Sequence, residues 1–173
     1  TAFFVLVALV STLVIRSNIR HITEVWSPSL EYLQELETMT AKYRIKQYQH
    51  LVESDAAAMA TCEKENDNIE SQIKDATAKL GEIINSNKKA QQGKADYEKA
   101  TSAWEEYLST SDEVYKLSRD NKQAEAAKIM IGSAYESYMS FVKQLNTLHD
   151  DFQVELDNAK TLANICTIII FIV

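Results

Sequence analysis

Between Met39 and Asp55 an arginine, an amide and a phenol fall on one helical face. Residues three and four apart on a helix are neighbours, so Arg44, Gln47, Tyr48 and Leu51 form one row, and Tyr43, Lys46 and His50 form another. A guanidinium offers a planar fork of donors that matches a carboxylate and stays charged at any working pH, so the first row has the chemistry to grip a small anion. The same spacing also suits a merely solvated helix face. What singles the row out is its place in the chain.

The elements that position it follow from composition. The 173 residues include only three glycines and one proline, so the chain has few places to turn and is expected to form a small number of long helices. Its net charge of −7 provides no cationic surface, which argues against a nucleic-acid partner. Residues 2–15 and 162–173 are two apolar runs, each shorter than the ~20 residues a helix needs to cross a bilayer. They are expected to be truncated membrane spans, at 1–15 and 162–173, bracketing a domain at 16–161 on one side of a membrane. Cys62 is expected to be a buried free thiol, because Cys166 lies in the second apolar run.

Helix one is expected over about 16–54, with Ser54-Asp55 as its stop and the next N-cap. Pro28 either kinks it or sits in a first turn, and Trp26 is either an interfacial anchor or a core residue. Helix two, 55–85, has a seam of Met59, Cys62, Asn66, Ile69, Ile73, Ala76, Leu80 and Ile83, in which Asn66 fixes register. Helix three, 93–119, presents Tyr97, Thr101, Trp104, Leu108, Ser111 and Tyr115. Helix four, 121–160, carries an unbroken stripe from Ala127 through Ile131, Ala134 and Tyr138 to Ala159, running into the second span. Helices one and four would each reach roughly 60 Å, and two and three about 45 Å. The expected fold is all-α: an antiparallel up-down-up-down four-helix bundle whose helices one and four continue into two membrane helices.

Catalytic signatures are missing. There is no phosphate-binding glycine loop, no Gly-x-Ser-x-Gly elbow and no Cys-x-x-Cys-His haem site, and the histidines fall at different heights, so no catalytic residue, metal or cofactor is expected. Height also places Tyr107 and Thr110 on helix three, and Tyr135 and Tyr138 on helix four, at the level of Arg44. Tyrosines at helical spacing usually fill a core. With Arg44, Gln47 and Tyr48 these four residues would make a ligand pocket with a cation at its centre.

Trp26-Ser27-Pro28-Ser29-Leu30, the run from Tyr43 to Leu51, Met59, and Ala103-Trp104-Glu105-Glu106-Tyr107-Leu108 resemble the four-helix-bundle ligand-binding domain of bacterial methyl-accepting chemotaxis receptors. The resemblance implies an inner-membrane sensor, its bundle in the periplasm or extracellular space, that forms a homodimer mainly through helix one. It also implies a second span leading to a HAMP domain and a cytoplasmic signalling hairpin. Family members that sense aspartate hold its carboxylates with three helix-one arginines. The first corresponds to Arg44, and the others fall on Gln49 and Glu53, so that grip is incomplete in this chain. A small carboxylate-bearing ligand such as an organic acid or amino acid is favoured, and a liganded periplasmic binding protein is the other partner the resemblance allows. The competing readings are the input domain of a membrane histidine kinase or nucleotide cyclase, and a partner-binding membrane bundle without a small ligand.

Overall fold

The computed structural model describes residues 2–172, and every regular element among them is helical. The first rod is one helix over Ala2–Val52. It comprises α1 (Ala2–His21), a π-helical turn (Ile22–Trp26) and α2 (Ser27–Val52). The turn has a local cause. Pro28 has no N–H to give the carbonyl four residues back, and its ring crowds that carbonyl, so the ladder widens just before it and the Ser27 N–H bonds to the Ile22 carbonyl. Pro28 thus sits in the first turn of α2, and Trp26, 1% exposed against Phe152 at 5.5 Å between ring centroids, is a core residue.

The chain reverses at Glu53 to Asp55, where the Asp55 carboxylate caps α3 (Ala56–Ser86) by accepting from the Ala58 N–H at 2.8 Å. A 3-10 turn at Ala90–Gly93 leads into α4 (Lys94–Ser109) and α5 (Ser111–Arg119). The last rod is α6 (Gln123–Ile131) followed by α7 (Ser133–Ile172), entered through Asn121 at a positive φ of 59°, a conformation asparagine tolerates.

Cross-helix contacts fix the topology. Lys46 pairs with Glu65 and His50 with Glu63, so α3 runs against α2. Gln47 meets Ser111 and His50 meets Ser118, so α5 runs with α2. Trp26 meets Phe152 while Arg44 meets Met130, so the last rod runs down. The result is an antiparallel up-down-up-down four-helix bundle. Its core of Leu33, Leu36, Ile73, Leu80, Trp104, Phe141, Leu145 and Phe152 is the expected apolar seam, and Asn66 is its buried polar member, donating to the Tyr43 carbonyl and the Tyr115 hydroxyl.

Three expectations need correcting. The third rod is broken at Thr110, whose N–H and hydroxyl both turn back to the Tyr107 carbonyl, the side chain competing with the helical ladder. The fourth rod is broken at Gly132, and the break shifts the stripe by one residue: Ala126 and Met130 are fully buried before it, whereas Ile131 is 67% exposed. Cys62 is only partly buried, and both cysteines are free thiols.

Among the described residues, one helix, Ala2–Val52, is long and apolar enough to cross a membrane. The C-terminal part of α7 packs beside α1, with Cys166 and Ser11 among the few buried side chains there.

Gly81, inside α3, shows how tightly one end of the bundle closes. A Cβ there would clash with the Tyr97 hydroxyl oxygen, which donates to the Thr77 carbonyl at 3.0 Å. Gly81→Ala should therefore destabilise the chain by about 1 kcal/mol: displacing the tyrosine costs about 2 kcal/mol and alanine returns about 1 of it through helix propensity. In a Tyr97→Leu background the same substitution should instead raise the melting temperature. A thermal-melt comparison of the four proteins checks this.

Candidate functional site

The Arg44 row is set by α2, whose 3.6-residue period puts Arg44 and Tyr48 one turn apart on the face toward the fourth rod. Arg44 is 9% exposed. Its Nη2 donates to the Met130 carbonyl at 2.8 Å and to the Tyr48 hydroxyl at 3.0 Å. Four aromatic faces surround the guanidinium carbon: Tyr138 at 5.1 Å, Tyr48 at 5.2 Å, Tyr135 at 5.4 Å and Tyr107 at 5.8 Å from ring centroid to carbon. Each ring presents the negative face of its quadrupole to the cation.

Four of the seven residues expected at the site, Tyr48, Tyr107, Tyr135 and Tyr138, therefore converge on a fifth, Arg44. Gln47 reaches it indirectly, donating from Nε2 to Ser111 Oγ at 2.8 Å and accepting from the Tyr107 hydroxyl, so that it fixes the Tyr107 ring. Thr110 does not join the cluster through its hydroxyl, which donates to the Tyr107 carbonyl at 2.8 Å. It shapes the break between α4 and α5.

Two features of the cluster bear on its chemistry. Burying a charge without a partner is costly, and buried arginines ordinarily meet carboxylates. Among the described residues no aspartate or glutamate pairs with Arg44, and its buried Nη1 has no hydrogen-bond partner. The floor, in turn, is a set of packed rings. Tyr107 stacks on Trp104 at 5.1 Å, and Trp104 packs on Tyr43 and Phe141 at 5.5 and 5.4 Å.

Burial pushes the Tyr107 phenol well above its ordinary range, with the Arg44 charge offsetting part of the shift, and burial likewise raises Tyr115, Tyr43 and Tyr138. The folded chain thus favours the neutral phenols. Their contribution to stability is complete below the ordinary tyrosine value of 10.0 and is lost as pH rises beyond it, by up to about 1.4 kcal/mol per pH unit for each fully buried phenol. Melting temperatures recorded from pH 9 to 11.5 should fall steeply from about pH 10. A flat profile would mean that the phenols ionise freely.

Two other participants have no direct signature in the sequence. The Met130 carbonyl is a backbone acceptor, free because it lies in the last turn of α6 before the Gly132 break, and Gly132 was its only signal. The second is a polar tie farther along α2. His50, fully buried, meets Glu63 Oε1 at 2.8 Å through Nε2 and Ser118 Oγ at 2.9 Å through Nδ1, and Arg119 reaches the same Glu63 oxygen at 2.5 Å. This tie joins α2, α3 and α5.

The described residues thus form an all-helical bundle with a long apolar N-terminal helix and a buried cation facing between two of its rods. A family model described as a four helix bundle sensory module for signal transduction matches residues 2–163. The chain belongs to this family, the four-helix-bundle sensory modules of chemotaxis receptors. No curated protein sequence matches it.

Proposed function

We propose that the chain is the ligand-binding input of a chemoreceptor, and that its ligand is a small extracellular molecule bearing a carboxylate, such as an organic acid or amino acid, held by Arg44. The observation that carries this reading is the buried guanidinium with an unpartnered Nη1 and no acidic partner among the described residues. A ligand carboxylate would supply the missing charge and acceptors, with Tyr48, Tyr135 and Tyr138 against its body and Gln47 holding Tyr107 in place.

The route outward begins at the same arginine. Arg44 Nη2 holds the last turn of α6 through Met130, and Gly132 separates that turn from α7, which runs for 40 residues to Ile172. A carboxylate that draws the guanidinium away from Met130 would favour a different placement of α6 and α7 against α2. Such a ligand shifts the equilibrium only by its unequal affinity for the two placements. The packing of the C-terminal apolar part of α7 beside α1 supports a pair of membrane spans; in this reading the bundle stands on the periplasmic or outer side. Exposed Ile45, Tyr48 and Val52 on α2 support a homodimer formed along this helix.

The test is a thermal-shift screen of the full chain in lipid nanodiscs against organic, amino and aromatic acids. A binder raises the melting temperature by mass action. A stabilising acid whose effect disappears in Arg44→Met supports the reading, whereas stabilisation that survives in that variant would refute Arg44 as its anchor.

A further inference from the structure

The bundle is not closed evenly. Helix α3 packs along α2, and α4 along α7, while α3 and α4 touch each other little. Between them lies a cleft of about 420 Å³, backed by Ile73, Leu80 and Phe141 and walled on the α4 side by Trp104 and Leu108. The sequence opens it. Where the two helices face each other they carry Thr77 and Ala78 against Ala100 and Thr101, side chains too short to bridge the gap. One end is sealed by Tyr97, which lies over Gly81 and is tied to the Thr77 carbonyl.

We propose that this cleft is a second binding site, separate from the Arg44 cluster, for a small amphipathic amine with an aromatic body of about two rings and an ammonium group. Size and lining set the body: a cavity of about 150 Å³ lined by apolar side chains holds benzene, and a cleft near three times that size, faced by an indole and aliphatic side chains, accommodates a larger ring system. Charge sets the head group. The charged residues at the cleft are Glu70, Glu105 and Lys74, none of them in an ion pair among the described salt bridges, which leaves one negative charge in excess. Partial burial and the nearby Asp67 and Asp112 raise the Glu70 carboxyl above its ordinary value, with Lys74 offsetting part of the shift, as expected where negative charge is under-compensated. An ammonium beside Glu70 and Glu105 would relieve this, and a carboxylate would aggravate it. The cleft therefore selects the charge opposite to that favoured at Arg44.

The experiment uses the full chain in nanodiscs of zwitterionic lipid, with monodansylcadaverine as probe and empty discs subtracted. This probe joins a two-ring fluorophore to an ammonium, and it accepts energy from a tryptophan at close range, here Trp104. Saturable sensitised emission is expected. It should weaken about tenfold or more in Ala78→Phe, which fills the mouth of the cleft from an exposed helix position, and about threefold in Glu70→Gln. Arg44→Met should leave it unchanged, so this site and the Arg44 reading fail separately. Equal binding of a dansyl carboxylate of matching length would overturn the proposal. So would binding that persists in a folded Ala78→Phe chain, or emission lost as the chain is concentrated, which would make a second copy the occupant.

Discussion

Arg44→Met should weaken the carboxylate ligand about a hundredfold while leaving the ligand-free chain as stable as the parent, or slightly more so. The two halves of this result have different causes. Methionine retains most of the apolar stem that packs among Tyr48, Tyr107, Tyr135 and Tyr138, so little volume is lost. What disappears is a buried charge with no acidic partner among the described residues and an unsatisfied Nη1, and replacing buried ionic groups with apolar side chains of similar volume is often neutral or stabilising. The Met130 carbonyl loses a charged donor at 2.8 Å, which offsets part of that gain. The ligand loses its only countercharge; a hundredfold corresponds to about 2.7 kcal/mol, within the range for charge-assisted hydrogen bonds. Denaturant melts of the two proteins without ligand, together with ligand titrations, measure both halves. A chain strongly destabilised without ligand would show that Arg44 serves the fold rather than a ligand.

Trp104→Ala should have the largest effect on folding, a loss of about 3–5 kcal/mol, read from the shift in denaturant midpoint. The indole is 6% exposed and is the hub of the aromatic cluster, in contact with Tyr43, Tyr107 and Phe141, rings contributed by three different rods. Its removal opens a cavity that the neighbouring rings cannot fill without leaving their own contacts, and each lost aromatic pair adds to the transfer cost. Trp104→Phe should recover most of the loss. Because Tyr107 rests on the indole, the alanine variant should also weaken the carboxylate ligand in proportion to how far the Tyr107 ring moves.

The parts of this architecture that depend on period and length were legible in the sequence. Arg44 and Tyr48 meet because they are one turn apart, and Tyr135 and Tyr138 meet them because two antiparallel rods of similar length bring those levels together. The same reasoning misplaced Ile131, since a constant helical phase was carried across Gly132, where the backbone leaves the helix and the stripe slips to Ala126 and Met130. Thr110 failed in a related way. Its height puts it at the pocket, but its hydroxyl is engaged by its own helix, a local competition that composition does not reveal. The tie in which His50 meets Glu63 and Ser118, and Arg119 meets the same Glu63 oxygen, brings together residues from three helices, and no spacing within one helix signals it. The cleft between α3 and α4 was hidden for the opposite reason, because the short side chains at Ala78, Ala100 and Thr101 read as ordinary helix positions until the facing helix is seen.

In the function proposed above, Arg44 answers the charge of a carboxylate rather than the shape of a ligand. Calorimetric titration of the full chain with a stabilising acid and with its carboxamide, which has nearly the same shape and no charge, tests this most directly. The predicted result is binding of the acid about a hundredfold tighter than the amide in the parent chain, with the difference gone in Arg44→Met. Equal affinities for acid and amide in the parent chain would contradict it.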